Sequence, residues 1–246
     1  MQVTRLLVAS LGTALLGLVP IGLAGPAAHA GAVPVPTSVS GEISRSVMYY
    51  KDSFTISGSV DDPSGNPVPD TADGTVVLER RNAGTSRWRQ VAEAPDEGDF
   101  FFPDLVGTRN ATYRIIYSGG TEGATSYEPS GAKTSIKVAR IINTRGTNPR
   151  PNVFFLKGTL KPSYKGKPVV IQRKTCNSCS WKAWKTVKTN RKSKFSARIY
   201  AKRTVGKVWY RPLVKSSTRY IKTIGQGVVI ETIRARSADG QSSVLR

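Results

Sequence analysis

Cys176-Asn177-Ser178-Cys179 is the segment of this chain whose spacing matches a redox centre. Thiol chemistry at that spacing needs an activated thiolate at a helix start in a βαβ unit. Here the two cysteines fall between strand-like runs at 169–175 and 180–188, so a disulfide closing a hairpin loop is the simpler reading; free thiols and redox activity are the alternatives. Oxidising conditions outside the cell favour the disulfide. Two cysteines are too few for a structural zinc site built on thiolates. The single histidine, His29, lies in a segment expected to be removed. What remains has no histidine to activate a nucleophile, ligate a metal or move a proton. Asp96, Glu97 and Asp99 cluster, as do Asp61 and Asp62 with Asp70 and Asp73 nearby, but both groups sit in loop-type sequence. Neither has the form of a calcium loop, and paired-carboxylate hydrolysis is not indicated. The expectation is a protein that is not an enzyme and uses neither cofactor nor metal.

The residues that remain chemically interesting are basic and aromatic. Lys182, Lys185, Lys188, Arg191, Lys192, Lys194 and Arg198 follow one another closely, then Lys202, Arg203 and Lys207. Residues 139–246 hold twenty-six Lys/Arg against two acids, Glu231 and Asp239, a net of +24; residues 31–138 hold ten against fourteen, a net of −4. So dense a charge exceeds what solubility needs and repels itself, a cost that a polyanionic partner would offset. Trp88 and Trp184 read as packing residues in matching positions of a repeat. Trp181 lacks such a match, and three residues before Trp184 it points to the opposite face of a regular strand, which makes it the candidate aromatic platform.

These residues need a scaffold. Residues 1–30 have Arg5 ahead of an apolar stretch, Leu6–Ala24, then Pro26-Ala27-Ala28-His29-Ala30, the layout of a cleaved secretory signal. No later apolar run is long enough to span a membrane. After the signal, short runs rich in Val, Ile, Thr, Tyr, Phe and Trp alternate with Gly, Pro, Asn and Asp. Strands are expected at 54–60, 75–81, 86–91, 99–102, 111–117 and 133–138, with turn chemistry over 61–67. About seven short strands in about a hundred residues is a β-sandwich pattern.

The second half repeats the first. Residues 154–160 match the strand ending Gly58-Ser59-Val60, 169–174 match 76–81, Trp184–Val187 matches Trp88–Val91, Phe195 matches Phe100, and Tyr210-Arg211 matches Tyr113-Arg114, at offsets of 100, 93, 96, 95 and 97. A period near a hundred means tandem domains. The expected organisation is signal 1–30, acidic sandwich 31–139, polar Pro/Gly linker 140–151, basic sandwich 152–236 and disordered tail 237–246.

Ile56–Val60, Gly65–Val68, Val76–Arg81, Trp88–Val91, Phe100 and Thr112–Tyr117 together resemble the bacterial immunoglobulin-like domains of secreted actinobacterial proteins. The resemblance covers residues 40–138 well and 150–235 more loosely. It implies an all-β protein of two tandem immunoglobulin-like sandwiches, and it implies no catalytic residues. Such domains serve as adhesins, spacers and carbohydrate-binding accessories. The functional expectation is an exported, extracellular or wall-associated binding protein. Its basic domain contacts an anionic cell-wall polymer or acidic glycan, or non-specifically a nucleic acid, through the cations named above and Trp181. The alternative is a structural spacer or protein–protein module with no polyanion ligand.

Overall fold

The computed structural model describes residues 33–95, 98–234 and 241–245. The expected signal segment lies outside the described residues, as do Asp96 and Glu97. In chain order the first half forms β1 (Ser38–Val39), β2 (Glu42–Ile43), β3 (Val47–Tyr49), β4 (Ser53–Asp61), β5 (Thr75–Asn82), β6 (Arg89–Pro95), β7 (Asp99–Val106), β8 (Ala111–Tyr117), β9 (Gly120–Glu122), β10 (Thr125–Tyr127) and β11 (Ser130–Ala139). The second half forms β12 (Ile141–Arg150), β13 (Val153–Lys161), β14 (Pro168–Lys174), β15 (Lys182–Lys188), β16 (Lys194–Ile199), β17 (Gly206–Val214), β18 (Thr223–Ile224), β19 (Val228–Arg234) and β20 (Gln241–Leu245). No helix occurs among the described residues.

Each half is a two-sheet sandwich of immunoglobulin-like type. In the first, β1, β2 and β7 pair with β4, and the facing sheet runs β3-β11-β8-β5-β6. In the second, β12-β13-β16 faces β15-β14-β17-β19-β20, with β18 on β17. Alternation places the cores. Ala111, Tyr113, Ile115 and Tyr117 of β8 point inward between half-buried neighbours, as Val208, Tyr210 and Val214 do on β17. Phe54, Ile56 and Val60 meet Val76, Leu78, Ile136 and Val138 in one core; Phe154, Leu156 and Leu160 meet Val169, Ile171 and Ile230 in the other. Each such side chain contributes roughly 1.5–3 kcal/mol by leaving water. The turn at 61–67 is held by the Asp62 carboxylate, which accepts from the Ser64 and Asn66 amides, and these bonds hold its carboxyl below the usual range.

Two expectations fail here. Residues 140–151 do not form a linker, because Ile141–Arg150 is strand β12, paired with β13 from Ile141↔Lys161 to Arg150↔Val153. Its composition reads as loop, yet β13 supplies a continuous ladder from Ile141 to Thr147, Ile142 is buried, and Pro149 falls in the irregular stretch between Thr147 and Arg150 of an edge strand. Nor is the whole tail free of structure: Gln241–Leu245 pairs with β19, whose outer edge is otherwise open. Residues 237–240 lie outside the described residues.

The junction is therefore one residue, Arg140, and it is 6% exposed. Its guanidinium lies 4.6 Å from the Tyr164 ring and 4.0 Å from the Tyr220 ring. Its amide donates to Thr223 Oγ1 and its Nη1 to the Pro162 carbonyl. Burial lowers the Arg140 pKa, opposed by the two phenols, and raises the pKa of both tyrosines. Tyr220 belongs by sequence to the second half but completes the first core, its hydroxyl donating to the Thr108 carbonyl. Ile221 N–H donates to Val138, and Asn110 Nδ2 to Thr218. These contacts cross the junction and join the two sandwiches.

Candidate functional site

The outward face of β12-β13-β16 follows from the same alternation that builds the core. Phe154, Leu156 and Leu160 point inward on β13, so Phe155, Lys157 and Thr159 point outward; Phe195, Ala197 and Ile199 point inward on β16, so Lys194, Ser196 and Arg198 point outward. Register then aligns Arg145 with Lys157 and Ser196, and Asn143 with Thr159 and Lys194. Gly158, on the inward side by the same alternation, lets the Phe195 ring lie against the strand, because a Cβ there would stand 2.5 Å from that ring and 2.8 Å from the Asn143 carbonyl. The result is an open cleft of about 680 Å³ whose cations are Arg145, Lys157, Lys188 and Lys194, among Asn143, Thr159 and Asn190. No carboxylate among the described residues lines it. Among the described residues after Ala139 the one acid is Glu231, which lies 3.6 Å from Lys207.

The first sandwich has a cleft at the same place, about 490 Å³, over Gly58 and Phe100. Matching ladders set the equivalences: Glu42↔Ser57↔Phe101 corresponds to Arg145↔Lys157↔Ser196, and Asp99 on Ser59 corresponds to Lys194 on Thr159. Glu42 thus becomes Arg145, Ser57 becomes Lys157 and Asp99 becomes Lys194. The sign of the cleft reverses between the two sandwiches while its place on the sheet is kept.

A second cluster lies on the outer face of the opposite sheet. Arg211 Nε donates to Gln172 Oε1 at 2.9 Å, and the guanidinium carbon stands 4.2 Å from the Trp181 ring. Lys174 Nζ lies 5.5 Å from Trp181 and 5.1 Å from Trp209, and donates to the Asn177 carbonyl. Trp184 goes the other way: it packs edge-on at 5.1 Å from the Tyr210 ring, against the core. The two tryptophans do fall on opposite sides, with Trp184 inward.

The match of Trp88 with Trp184 is corrected by the ladders. Arg80↔Arg89 corresponds to Arg173↔Lys182, and both hairpins carry an irregularity just past the following rung, where Val91 and Trp184 are the extra residues. Trp88 therefore corresponds to Trp181, at an offset of 93, and Trp181 does have a counterpart. Contacts agree, since Arg81 and Arg114 stand 4.8 and 4.7 Å from the Trp88 ring. The connecting loops have equal length. Thr218 reaches the first at Gly84, whereas the Cys176–Cys179 disulfide closes the second. The expected bridge is thus formed, in a hairpin loop and away from any helix.

Of the residues expected to bind a polyanion, Lys188 and Lys194 line the cleft and Arg198 shares its sheet face. Arg191 and Lys192 sit in the turn leading into β16, where Asn190 Oδ1 accepts from the Lys192 and Lys194 amides. Lys182 and Lys185 lie on edge strand β15 of the other sheet, Lys202 and Arg203 in the loop after β16, and Lys207 beside Glu231. Trp181 is half-buried against Arg211, so it is no open platform. Sequence reasoning missed Arg145, Lys157, Lys174 and Arg211. The alternation of Lys157 with Phe154, Leu156 and Leu160 was the available signal for one of them.

No protein-family model and no curated protein matches the chain. Solved structures similar to it include a two-domain fibronectin type-III segment of chicken tenascin, 13% identical at a TM-score of 0.45, covering 78% of this chain and 98% of that one. The FN1–FN3 domains of chicken CNTN1 are 8% identical at 0.27, covering 87% and 68%. The human OSCAR ligand-binding domain is 11% identical at 0.26, covering 79% and 98%. At these identities the likeness concerns the fold alone.

Proposed function

We propose that this is an exported, non-enzymatic binding protein whose second sandwich holds an anionic polymer of the cell envelope across the cleft of Arg145, Lys157, Lys188 and Lys194. The observation that carries the reading is the reversal of sign at equivalent rows: charge added only for solubility has no reason to replace Glu42 and Asp99 by cations at the matching cleft positions. Four cations on a concave face with no carboxylate among them suit repeated anionic groups along a flexible strand. Such contacts are point-charge contacts, without sequence readout and with strong salt dependence.

The test is sedimentation of the chain from residue 31 with isolated bacterial cell walls, in low and high salt. The intact two-sandwich chain is needed because the junction contacts cross any cut near residue 139. Four released counterions predict a fall of about three decades in affinity between roughly 50 mM and roughly 500 mM salt. Lys157→Glu with Lys194→Glu is expected to abolish pelleting at low salt. Equal pelleting by that variant would move the ligand off this cleft. No pelleting by either protein would favour a spacer or protein–protein role.

A further inference from the structure

Glu79 and Gln172 stand on the same rung of corresponding ladders, facing Arg114 and Arg211. In the first sandwich Arg114 Nε donates to the Glu79 carboxylate, and Arg81 and Arg114 both lie against Trp88. There the carboxylate, 19% exposed, accepts from the guanidinium and sets a negative charge against the two cations. In the second sandwich the same geometry is kept with the carboxylate exchanged for an amide. Gln172 still orients Arg211 through Nε but brings no charge. The rung Arg81↔Thr112 has become Lys174↔Trp209, so an indole replaces a threonine. Among the described residues the one carboxylate of this face, Glu231, is opposite Lys207, two residues along β17 from Trp209.

We propose that Arg211, Lys174, Trp181 and Trp209 form an anion site that takes a single oxyanion group, phosphate or carboxylate, which supplies from outside the negative charge that Glu79 supplies in the first sandwich while Gln172 keeps its seat on Arg211 Nε. The first sandwich shows the complement: a carboxylate seated on the arginine beside a tryptophan. The second keeps that contact without its charge, the arginine oriented by Gln172 and the lysine held by the disulfide loop through Asn177. The guanidinium's terminal nitrogens offer the forked geometry that oxyanions accept. The site rests on a different sheet from the cleft and does not depend on the cleft reading.

The experiment is a tryptophan-emission titration of the chain from residue 31 with inorganic tripolyphosphate, and with citrate as the carboxylate arm. A saturable change carried by Trp181, and lost in Trp181→Phe, is expected. Gln172→Glu restores the internal carboxylate and should raise the half-saturation concentration at least tenfold, with the melting temperature held or raised. Glu79→Gln should leave the matching cations uncompensated and add a second phase carried by Trp88. A Gln172→Glu protein that titrates like the parent overturns the site. The response should persist in the Lys157→Glu, Lys194→Glu protein; its disappearance there would assign the anion to the cleft instead. Wall pelleting that fails while this titration stands would sink the cleft reading alone.

Discussion

The Arg140 guanidinium carbon lies 4.6 Å from the ring of Tyr164, and Tyr220 covers it at 4.0 Å on its own ring. A buried cation is costly unless partnered, and here the partners are two ring faces and the Pro162 carbonyl. Because Tyr220 also belongs to the first core, Arg140 couples the stabilities of both sandwiches.

Arg140→Ala should therefore do two things. Stability falls by about 2 kcal/mol, the scale of desolvated cation–π contact plus one charged hydrogen bond. The unfolding transition also splits, one sandwich melting before the other. Calorimetry checks both, and a single undisplaced transition would show that the junction couples nothing.

Alkaline pH should unfold the protein through its buried phenols. Burial raises Tyr113, Tyr210, Tyr164 and Tyr220 above the ordinary value of 10.0. A raised folded value means the stabilisation is complete below the unfolded pKa and drains away as pH climbs through the folded one. Melting temperature is expected to hold below the ordinary tyrosine value of 10.0 and to fall as pH rises above it. Tyrosinate absorbance should rise together with that loss. Tyrosines ionising well before any unfolding would contradict the assigned burial.

Reducing the Cys176–Cys179 bridge should cost only about 1–2 kcal/mol, since the loop it closes is short. The larger effect expected is local. Lys174 loses its fixed acceptor at Asn177, so the Trp181 emission changes while the far-ultraviolet circular dichroism does not. Dithiothreitol titration followed by both signals separates the two.

Much of the fold was legible because alternation is a strong signal. Phe54–Val60, Val76–Arg81 and Ala111–Tyr117 each put apolar residues on one side, and each is a strand. Strand β12 was not legible. Asn143-Thr144-Arg145-Gly146-Thr147-Asn148-Pro149 has loop composition, and only its hydrogen-bonded neighbour β13 makes it a strand, so Arg145 was hidden in an apparent linker. The Trp88–Trp181 correspondence was hidden by a similar-looking decoy, Trp184, which sits three residues on at an irregular rung. The charge step at residue 139 was plain in composition. Its concentration into one cleft, with Glu42 and Asp99 as mirror positions, needed the register of three strands.

The placement of Tyr220 also orders events in time. The first sandwich lacks one of its core rings until the chain has been made through residue 220, although its own strands end at Ala139. During synthesis that sandwich can assemble its sheets but not seal its core. A chain stalled before residue 220 would leave an unsealed core exposed to proteases. Completion of the first fold thus reports that the second has arrived.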